Sequence, residues 1–252
     1  MCLIAFAFTP GESRHLFLTA NRDEFHDRPA RPMAWWQWPD GILAGRDELA
    51  GGTWLAVSRS GRWAAVTNFR DPLADAGTRS RGELPVTFLK SDEDPEMHVR
   101  SVWRERAELG PFNLLAGDRE QLWYCSTHSE PRAVAAGVHA LSNGLLDESW
   151  PKSRRVSTAM IGLARSQSEP DPERLFELMN DRECAEDNEL PNTGIGLETE
   201  RLLSPPFIVT PRYGTRCTTI VNLGTQCRVS ERRFDTRGET QGELQYSFRR
   251  GL

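Results

Sequence analysis

Short strand-like segments recur along this chain of 252 residues, and two helical blocks interrupt them. The segments are joined by brief turns such as Pro10-Gly11, Ser60-Gly61 and Gly117-Asp118. Strands linked by turns of this kind pair as antiparallel hairpins. Because the last strands, from Cys217 onward, resume the pattern of the first, we expect a single domain over residues 1–252. This alternation predicts an α+β fold with largely antiparallel sheets, whose outer faces the helical blocks cover.

The first predicted hairpin joins the apolar run at residues 1–8 to a second strand at residues 14–20. The second strand continues directly into a polar cluster, Asn21-Arg22-Asp23-Glu24. If the two strands pair without an offset, the far end of the second strand lies beside the start of the first. We therefore expect residues 21–24 to lie close to Cys2. The alternative for this cluster is a solvated turn with an internal salt bridge.

Residues 26–50 hold three prolines and the tryptophans Trp35, Trp36 and Trp38. We interpret this stretch as a loop region, since proline interrupts regular structure. The tryptophans fit either a packed core or rim cluster, or a platform for a ligand. Next comes a second hairpin, residues 51–68, whose Gly51-Gly52 pair lets the backbone approach a neighbour closely.

The helical blocks have apolar residues at helical spacing with charged residues between them. The predicted helices cover residues 83–90, 95–109, 153–165 and 173–179, and the predicted later strands cover residues 112–117, 121–126, 137–144, 217–223, 226–234 and 243–249. Residues 180–206 are polar and rich in Gly, Pro and Asn, which predicts a long surface loop.

The composition excludes several functional classes. A net charge of −5 argues against general nucleic-acid binding, which requires a basic surface. No stretch approaches 18 uninterrupted apolar residues, so we expect no transmembrane segment. The five cysteines form no C-x-x-C pair, and no signal peptide precedes them, which indicates reduced thiols, a cytoplasmic location and no metal site. The basic residues are almost all arginine, with only Lys90 and Lys152 as lysines.

Cys2 is the strongest candidate for a catalytic residue. If the initiator Met1 is removed, Cys2 carries both a thiol, with a pKa of about 8.5, and an α-amine, with a pKa of about 7.7–8.0. The amine can then accept the thiol proton, which is an established way to activate an N-terminal nucleophile. The alternative is that Cys2 is an ordinary small buried residue at the start of a core strand.

The motif Asn21-Arg22-Asp23-Glu24 resembles the one that names the NRDE family, also called the transport and Golgi organisation protein 2 family. Further stretches resemble the same family in the same order: Gly45-Arg46-Asp47, Gly51-Gly52-Thr53-Trp54-Leu55, Thr67-Asn68, Ser80-Arg81-Gly82-Glu83, Phe112-Asn113-Leu114, Leu141-Ser142-Asn143, Trp150-Pro151-Lys152 and Tyr213-Gly214-Thr215-Arg216. The resemblance covers nearly the whole chain.

The family in turn resembles the N-terminal-nucleophile hydrolases, especially the cysteine branch with penicillin V acylase and bile salt hydrolase. The resemblance implies a four-layer α-β-β-α sandwich with the nucleophile at the start of a central strand. It further implies that Asn143 corresponds to the branch's oxyanion asparagine and Arg216 to its late arginine. One departure concerns Arg22 and Asp23, which are adjacent here but three apart in that branch. Asn21 and Glu24 are therefore alternatives for those two places.

The resemblance and the residue chemistry together predict a site. In it Cys2 is the nucleophile, Asn143 the oxyanion donor and Asp23 the carboxylate that orients the amine. Either Arg22 or Arg216 would hold the thiolate. We assign the predicted substrate contacts to four further residues: Asn21, Glu24, Trp54 and Asn68. The expected reaction is hydrolysis of a non-peptide C–N amide bond in an acylated small molecule, with no required cofactor.

The alternative function is non-catalytic binding. The family is associated with secretory-pathway organisation, with lipid and acyl-coenzyme A metabolism and with the movement of haem. That association implies a carrier that binds haem or an acyl lipid in an apolar pocket. The chain has no C-x-x-C-H sequence for covalent haem attachment. A haem carrier would therefore hold the iron through an axial side-chain ligand. The candidate histidines are His15, His26, His98, His128 and His139.

Overall fold

The computed structural model describes residues 2–164 and 171–251. Its strands are β1 (Cys2–Phe8), β2 (Arg14–Phe25), β3 (Ala30–Gln37), β4 (Asp40–Asp47), β5 (Leu55–Ser58), β6 (Trp63–Asn68), β7 (Phe112–Gly117), β8 (Leu122–Ser126), β9 (Ser129–Ala133), β10 (Gly137–Leu141), β11 (Tyr213–Gly224), β12 (Gln226–Phe234) and β13 (Thr240–Arg249). The helices are α1 (Glu83–Lys90), α2 (Pro95–Arg104), α3 (Pro151–Ala164), α4 (Pro172–Met179) and α5 (Leu197–Leu202). None of these helices is both long enough and apolar enough to cross a bilayer.

The strands form two sheets. The first sheet has the order β10-β1-β2-β11-β12-β13, and the second has the order β3-β4-β5-β6-β7-β8-β9. The pairings in both sheets are antiparallel. The C-terminal strands therefore lie in the same sheet as the N-terminal hairpin. This confirms the predicted α+β class with antiparallel sheets.

The apolar side chains fill the space between the sheets. Phe6 of β1 and Leu18 of β2 belong to the same buried cluster as Leu43, Val57 and Tyr124 of the second sheet. All five are fully buried. Because burying such a side chain contributes about 1.5–3 kcal/mol, this layer holds the two sheets face to face.

Helices cover the two outer faces, as the sequence predicts. Phe88 of α1 and Val99 of α2 pack against Val66 on the second sheet. On the other side Val156 of α3 packs with Leu3 of β1 in a separate buried cluster. The layers are therefore helix, sheet, sheet and helix, the predicted four-layer sandwich.

The N-terminal hairpin has the register that places the polar cluster beside Cys2. Cys2 pairs with Arg22, and the pairing continues to Phe8 opposite Leu16. Beyond Arg22 the strand β2 extends to Phe25, because its other edge pairs with β11. The cluster is thus part of a strand and not a solvated turn.

The prediction that residues 26–50 form a loop is wrong, since β3 and β4 pair there. Proline is compatible with β3 because this strand is the edge of its sheet, where a missing N–H breaks no ladder. Trp36 is buried and packs against Ile42, whereas Trp38 is exposed. Trp36 thus belongs to the core, as one of the two interpretations predicts.

The predicted helix bounds are close to those of the structure. α1 has the predicted bounds, and α2 ends at Arg104, after which a short 3-10 turn covers Arg106–Glu108. Within the predicted helix 153–165, Arg165 lies outside the described residues. The predicted loop 180–206 is wrong in part, because α5 lies within it and buries the side chain of Glu200.

Candidate functional site

Cys2 is the first residue of β1 and is 8% exposed. Its partner across β1–β2 is Arg22, and the partner of Arg22 across β2–β11 is Cys217. Side chains alternate along a strand, and Ile4, two residues after Cys2, lies between the sheets. Cys2, Arg22 and Cys217 therefore form a row on the inner face of the first sheet.

Cys2 lines a cleft of about 390 Å³, which we call the Cys2 cleft. Its walls come from β1 and β2 of the first sheet and from the loops before β5 and α1. The lining residues are Cys2, Arg22, Asp23, Glu24, Arg28, Asp47, Ala50, Thr53, Trp54, Val66, Asn68 and residues 76–82. Cys2 is the one cysteine in that lining. Cys2 therefore borders a space that a small molecule can enter.

The wall beside Cys2 carries interleaved charges. Arg28 makes a short ion pair with Asp47, with Nε 2.6 Å from Oδ2. Arg22 is 5% exposed and lies farther from its carboxylates, at 3.7 Å from Asp47 and 3.9 Å from Glu24. These distances exceed hydrogen-bond length, so the N–H groups of Arg22 can still donate hydrogen bonds to a molecule in the cleft. Its face lies over the ring of Trp54.

The opposite wall is the loop at residues 76–82, which the backbone of Gly52 positions. A Cβ on Gly52 would lie 2.2 Å from the carbonyl oxygen of Gly82, and Thr53 donates its N–H to that same carbonyl. This close approach confirms the prediction for the Gly51-Gly52 pair. Only glycine allows the two backbones to meet at this distance.

Two arginines of that loop differ in their partners. Arg79 is paired with three carboxylates, those of Glu83, Glu105 and Glu108. Arg81 donates Nη1 to the carbonyl oxygen of Pro111, 2.8 Å away, and makes no ion pair with the described residues. Arg81 is therefore the cation of this wall whose charge is not already matched.

Asp23 and Lys152 lie at the helix side of the site. The Thr215 hydroxyl donates to Asp23 Oδ1 at 2.7 Å. Burial raises the pKa of Asp23, and the charge of Lys152 opposes this rise. Burial lowers the pKa of Lys152 to about 8, and the charge of Asp23 opposes this fall. The two groups are thus a buried pair of opposite charge close to Cys2.

The Cys2 thiol is held in its protonated form by its surroundings. Burial raises its pKa and is the largest effect; the positive charge of the chain's amino terminus and that of Arg22 lower it, and the carboxylates of Asp23 and Glu24 raise it. A thiol of this kind is a weak nucleophile at neutral pH. Activation of Cys2 therefore requires a base in direct reach.

The predicted site residues fall into two groups. The Cys2 cleft brings together six of them: Cys2, Arg22, Asp23, Glu24, Trp54 and Asn68. Three others do not line it: Asn21, Asn143 and Arg216. The roles of all nine in binding or catalysis stay predictions.

Asn21 faces away from the cleft. It is fully buried, and its Nδ2 donates to the carbonyl oxygens of Met179 and Pro206 at 2.8 and 2.9 Å. Its Oδ1 accepts from the Thr218 hydroxyl at 2.6 Å. Since both ends of this amide already have short hydrogen bonds, Asn21 holds α4 and the segment near Pro206 against the first sheet.

Asn143 lies behind the cleft wall. Its Nδ2 donates to the carbonyl oxygen of Asn68 at 2.9 Å, and it is fully buried. The preceding Ser142 donates its hydroxyl to the carbonyl oxygen of Cys2 at 3.4 Å. Asn143 therefore fixes the end of β6, and Asn68 is the asparagine that lines the cleft.

Arg216 lies on the other side of Arg22. It is the extra residue of a β-bulge, because Thr215 pairs with Asp23 while Cys217 pairs with Arg22. Its Nη1 donates to the carbonyl oxygens of Phe25 and Arg28 at 2.7 and 3.3 Å. Arg216 lines a smaller pocket of about 160 Å³, which shares Arg22 and Trp54 with the Cys2 cleft.

Sequence reasoning missed Lys152, Arg81 and Asp47 as parts of the site. All three occur in stretches that resemble the NRDE family, in Trp150-Pro151-Lys152, Ser80-Arg81-Gly82 and Gly45-Arg46-Asp47. A further signal for Lys152 is its rarity in a chain whose basic residues are almost all arginine.

This chain is similar to known proteins over most of its length. The chain matches the family described as Transport and Golgi organisation 2 over residues 1–236. The human Transport and Golgi organization protein 2 homolog is 33% identical over 246 residues, covering 88% of each chain. The bovine homolog is 31% identical over 242 residues, with 88% of each chain covered. Among solved structures, a Caenorhabditis elegans N-acylethanolamine-hydrolyzing acid amidase ortholog aligns with a TM-score of 0.43 and 8% identity, over 87% of this chain and 92% of that one. The family match spans nearly the whole sequence, and the chain belongs to the Transport and Golgi organisation 2 family.

Proposed function

We propose that the mature chain begins at Cys2 and hydrolyses a non-peptide C–N amide bond in an acylated small molecule. The observation that carries this proposal is the position of Cys2, which starts β1 and lines an open cleft. A new amino terminus at this position places an α-amine on the same residue as the thiol. That amine supplies the base that the thiol lacks.

The proposed reaction has two stages. The α-amine takes the thiol proton, the sulfur attacks the amide carbonyl carbon, and a C–S bond forms. The amine then returns the proton to the leaving nitrogen as the C–N bond breaks, which leaves a thioester on Cys2. Water, deprotonated by the same amine, attacks the thioester, releasing the carboxylic acid and restoring the thiol.

We assign the oxyanion contact to Asn68 in place of Asn143, because Asn68 lines the cleft while the Asn143 amide donates to the Asn68 carbonyl. An amide N–H at this position can face the negative charge that develops on the carbonyl oxygen. Loss of one such donor lowers kcat by about 10²–10³. Asn68→Ala should therefore reduce turnover by that order, with a smaller effect on KM.

The charges of the cleft also suggest a feature of the substrate. Arg81 makes no ion pair among the described residues, and Arg22 keeps donor capacity, while the other two arginines of the lining have close carboxylate partners. A carboxylate on the substrate would match these donors. We therefore propose an N-acyl amide that carries an anionic group near the scissile bond.

The test begins with intact-mass measurement of the purified protein, which reports whether Met1 is removed. The processed protein is then incubated with a panel of N-acyl amino acids, and both product and a Cys2 acyl adduct are measured. Cys2→Ala should abolish both. Cys217→Ser is the matched control, since Cys217 lies on the same face beyond Arg22 and outside the cleft lining. It should keep both.

An uncleavable residue inserted before Cys2 separates the thiol from the amine. If the extended protein turns over substrate as fast as the processed one, activation by the α-amine is wrong. Absence of turnover and adduct with every amide would favour the carrier function instead. A haem titration would then distinguish the carriers: a Soret shift lost in a single histidine or cysteine variant identifies an axial ligand, and no shift points to an acyl lipid.

A further inference from the structure

Lys152 is a buried ammonium group that the proposed reaction does not yet use. It is 1% exposed, and its Nζ makes no hydrogen bond to a described residue. Lysine is almost never fully buried unless it is paired, because removing a charge from water is unfavourable. A buried ammonium group whose nitrogen makes no hydrogen bond to a described residue requires an explanation.

Helix geometry places Lys152 over the Cys2 end of the first sheet. Lys152, Val156 and Met160 are spaced four residues apart, so they lie on one face of α3. Val156 and Met160 pack with Leu3 and Ala5 of β1. Lys152 is one turn earlier on the same face, where the sheet presents polar groups in place of apolar ones.

Four charged or titratable groups lie within electrostatic range of Lys152: Asp23 on β2, Cys2 on β1, Arg70 after β6 and Glu200 on α5. Arg70 and Glu200 form an ion pair with each other. Of the four groups, Asp23 has the largest effect on Lys152, and Arg70 acts on it more strongly than Glu200 does. Asp23 is therefore the main carboxylate that balances the Lys152 charge.

Tyr213 of β11 lies beside the same residues, since the charges of Asp23 and Cys2 both act on its hydroxyl group. Burial raises the pKa of Tyr213 well above its ordinary value, with Asp23 as the next cause. Tyr213 is therefore neutral at physiological pH. Of the side-chain cations that act on Asp23, Lys152 has the larger effect and Arg22 the smaller. Arg22 and Glu24 also act on Cys2 directly, with opposite signs.

We propose that Lys152 is a positioning residue that cancels the charge of Asp23, so that Asp23 can orient the Cys2 α-amine without holding the amine and thiol protonated. This inference rests on the proposed function, because it assumes an α-amine on Cys2. An uncompensated carboxylate nearby favours the ammonium and disfavours the thiolate. With Lys152 present, the Asp23–Lys152 pair has no net charge, and the amine stays available as a base.

The test measures the rate of alkylation of Cys2 by iodoacetamide at pH 7, where Lys152 is protonated because its pKa is about 8, and peptide mass spectrometry identifies the modified residue. It needs no substrate. Lys152→Met removes the strongest cationic influence on Asp23 and should lower the rate about tenfold, which corresponds to a rise of one unit in the thiol pKa, the lower end of the effect of a nearby charge. Asp23→Asn removes the carboxylate and should raise the rate. The double variant removes both charges and should return the rate close to the wild-type value.

The cancellation distinguishes a charge effect from damage to the structure. If Lys152 acts only by packing, the double variant keeps the lower alkylation rate of Lys152→Met, and that result would overturn the inference. An unchanged rate in Lys152→Met would overturn it as well. Thermal unfolding of each variant checks that it is folded.

This experiment tests the role of Lys152 independently of the proposed hydrolase function. Opposite changes in the alkylation rate that cancel in the double variant support the role of Lys152 even if no amide is hydrolysed. Conversely, if wild-type protein hydrolyses an amide and Lys152→Met alkylates at the wild-type rate, the proposed hydrolase function stands and the proposed role of Lys152 is wrong.

Discussion

The guanidinium carbon of Arg22 lies 4.4 Å from the ring centroid of Trp54, and this contact joins the two sheets at the Cys2 cleft. Arg22 comes from β2 of the first sheet, and Trp54 precedes β5 of the second. The ring can occupy its place because Gly45 has no side chain: a Cβ there would lie 2.2 Å from Trp54 Cη2. The shape of the cleft therefore depends on a glycine that does not line it.

Gly45→Ala should displace the Trp54 ring and destabilise the protein by about 1–3 kcal/mol, the range for overpacking in a core. The displaced ring also leaves the Arg22 face, so the rate of Cys2 alkylation should change. Gly162→Ala is the control, because nothing lies within 4 Å of a Cβ at that position in α3. Alanine there should stabilise the helix by roughly 0.5–1 kcal/mol. Equal denaturant stability of Gly45→Ala and wild type would contradict the prediction.

Arg81 and Arg79 provide a matched test of substrate charge. Both line the Cys2 cleft, but Arg79 is paired with three glutamates while Arg81 makes no ion pair with the described residues. Arg81→Gln should lower kcat/KM for an N-acyl amino acid by roughly 10- to 100-fold, since a hydrogen bond to a charged group contributes about 1.5–3 kcal/mol. The matching neutral carboxamide should be little affected.

Arg79→Gln should change the rates for the charged and the neutral substrate by the same factor. If Arg81→Gln also reduces kcat/KM equally for the charged and the neutral substrate, Arg81 does not bind the substrate carboxylate. The measurement is the ratio of the two kcat/KM values for each variant.

Arg70 and Glu200 form a buried ion pair that ties α5 to the end of β6, with side-chain exposures of 6% and 4%. The backbone N–H of Thr193 also donates to Glu200, at 3.0 Å. Arg70→Met leaves the Glu200 carboxylate buried without its cation, which should cost about 3–5 kcal/mol. The double variant with Glu200→Gln should recover part of that loss, as measured by urea unfolding at pH 7. Additive losses in the double variant would show that the two charges are not coupled.

Local patterns predict the helices and hairpins of this fold well. The amphipathic spacing in α1 predicts its bounds, and the short turns predict the β1–β2 hairpin that brings Arg22 opposite Cys2. The strands β3 and β4 are not predictable in this way. Their pairing with each other and with β5 overrides the local effect of the prolines.

The parts of the site that the sequence does not predict depend on contacts between distant segments. Arg216 is turned aside by a bulge that exists only because β11 pairs with β2. Asn143 is directed to the Asn68 carbonyl by the packing of its loop behind β6. Lys152 approaches Asp23 because α3 packs across β1. None of these arrangements has a signature in the spacing of residues along the chain.

His139 and Asp147 bracket the loop that carries Ser142 and Asn143, and their interaction should make its stability depend on pH. His139 Nδ1 lies 2.8 Å from Asp147 Oδ2, and Nε2 lies 3.0 Å from the carbonyl oxygen of Ala135. Burial alone would lower the pKa of His139, but the hydrogen bond and charge of Asp147 raise it above its ordinary value. The protonated ring can donate to both acceptors.

A raised histidine pKa adds stability at pH values below the unfolded-state pKa of about 6.5, and this stability is lost as the pH rises through the folded-state pKa. Asp147→Asn removes the charge while keeping the side-chain size. Asparagine also tolerates the positive φ of 67° at this position, so the backbone strain does not change. The difference in melting temperature between wild type and Asp147→Asn should therefore be larger at pH 5.5 than at pH 8.5. A difference that is the same at both pH values, or larger at pH 8.5, would show that the charge on His139 does not stabilise this loop.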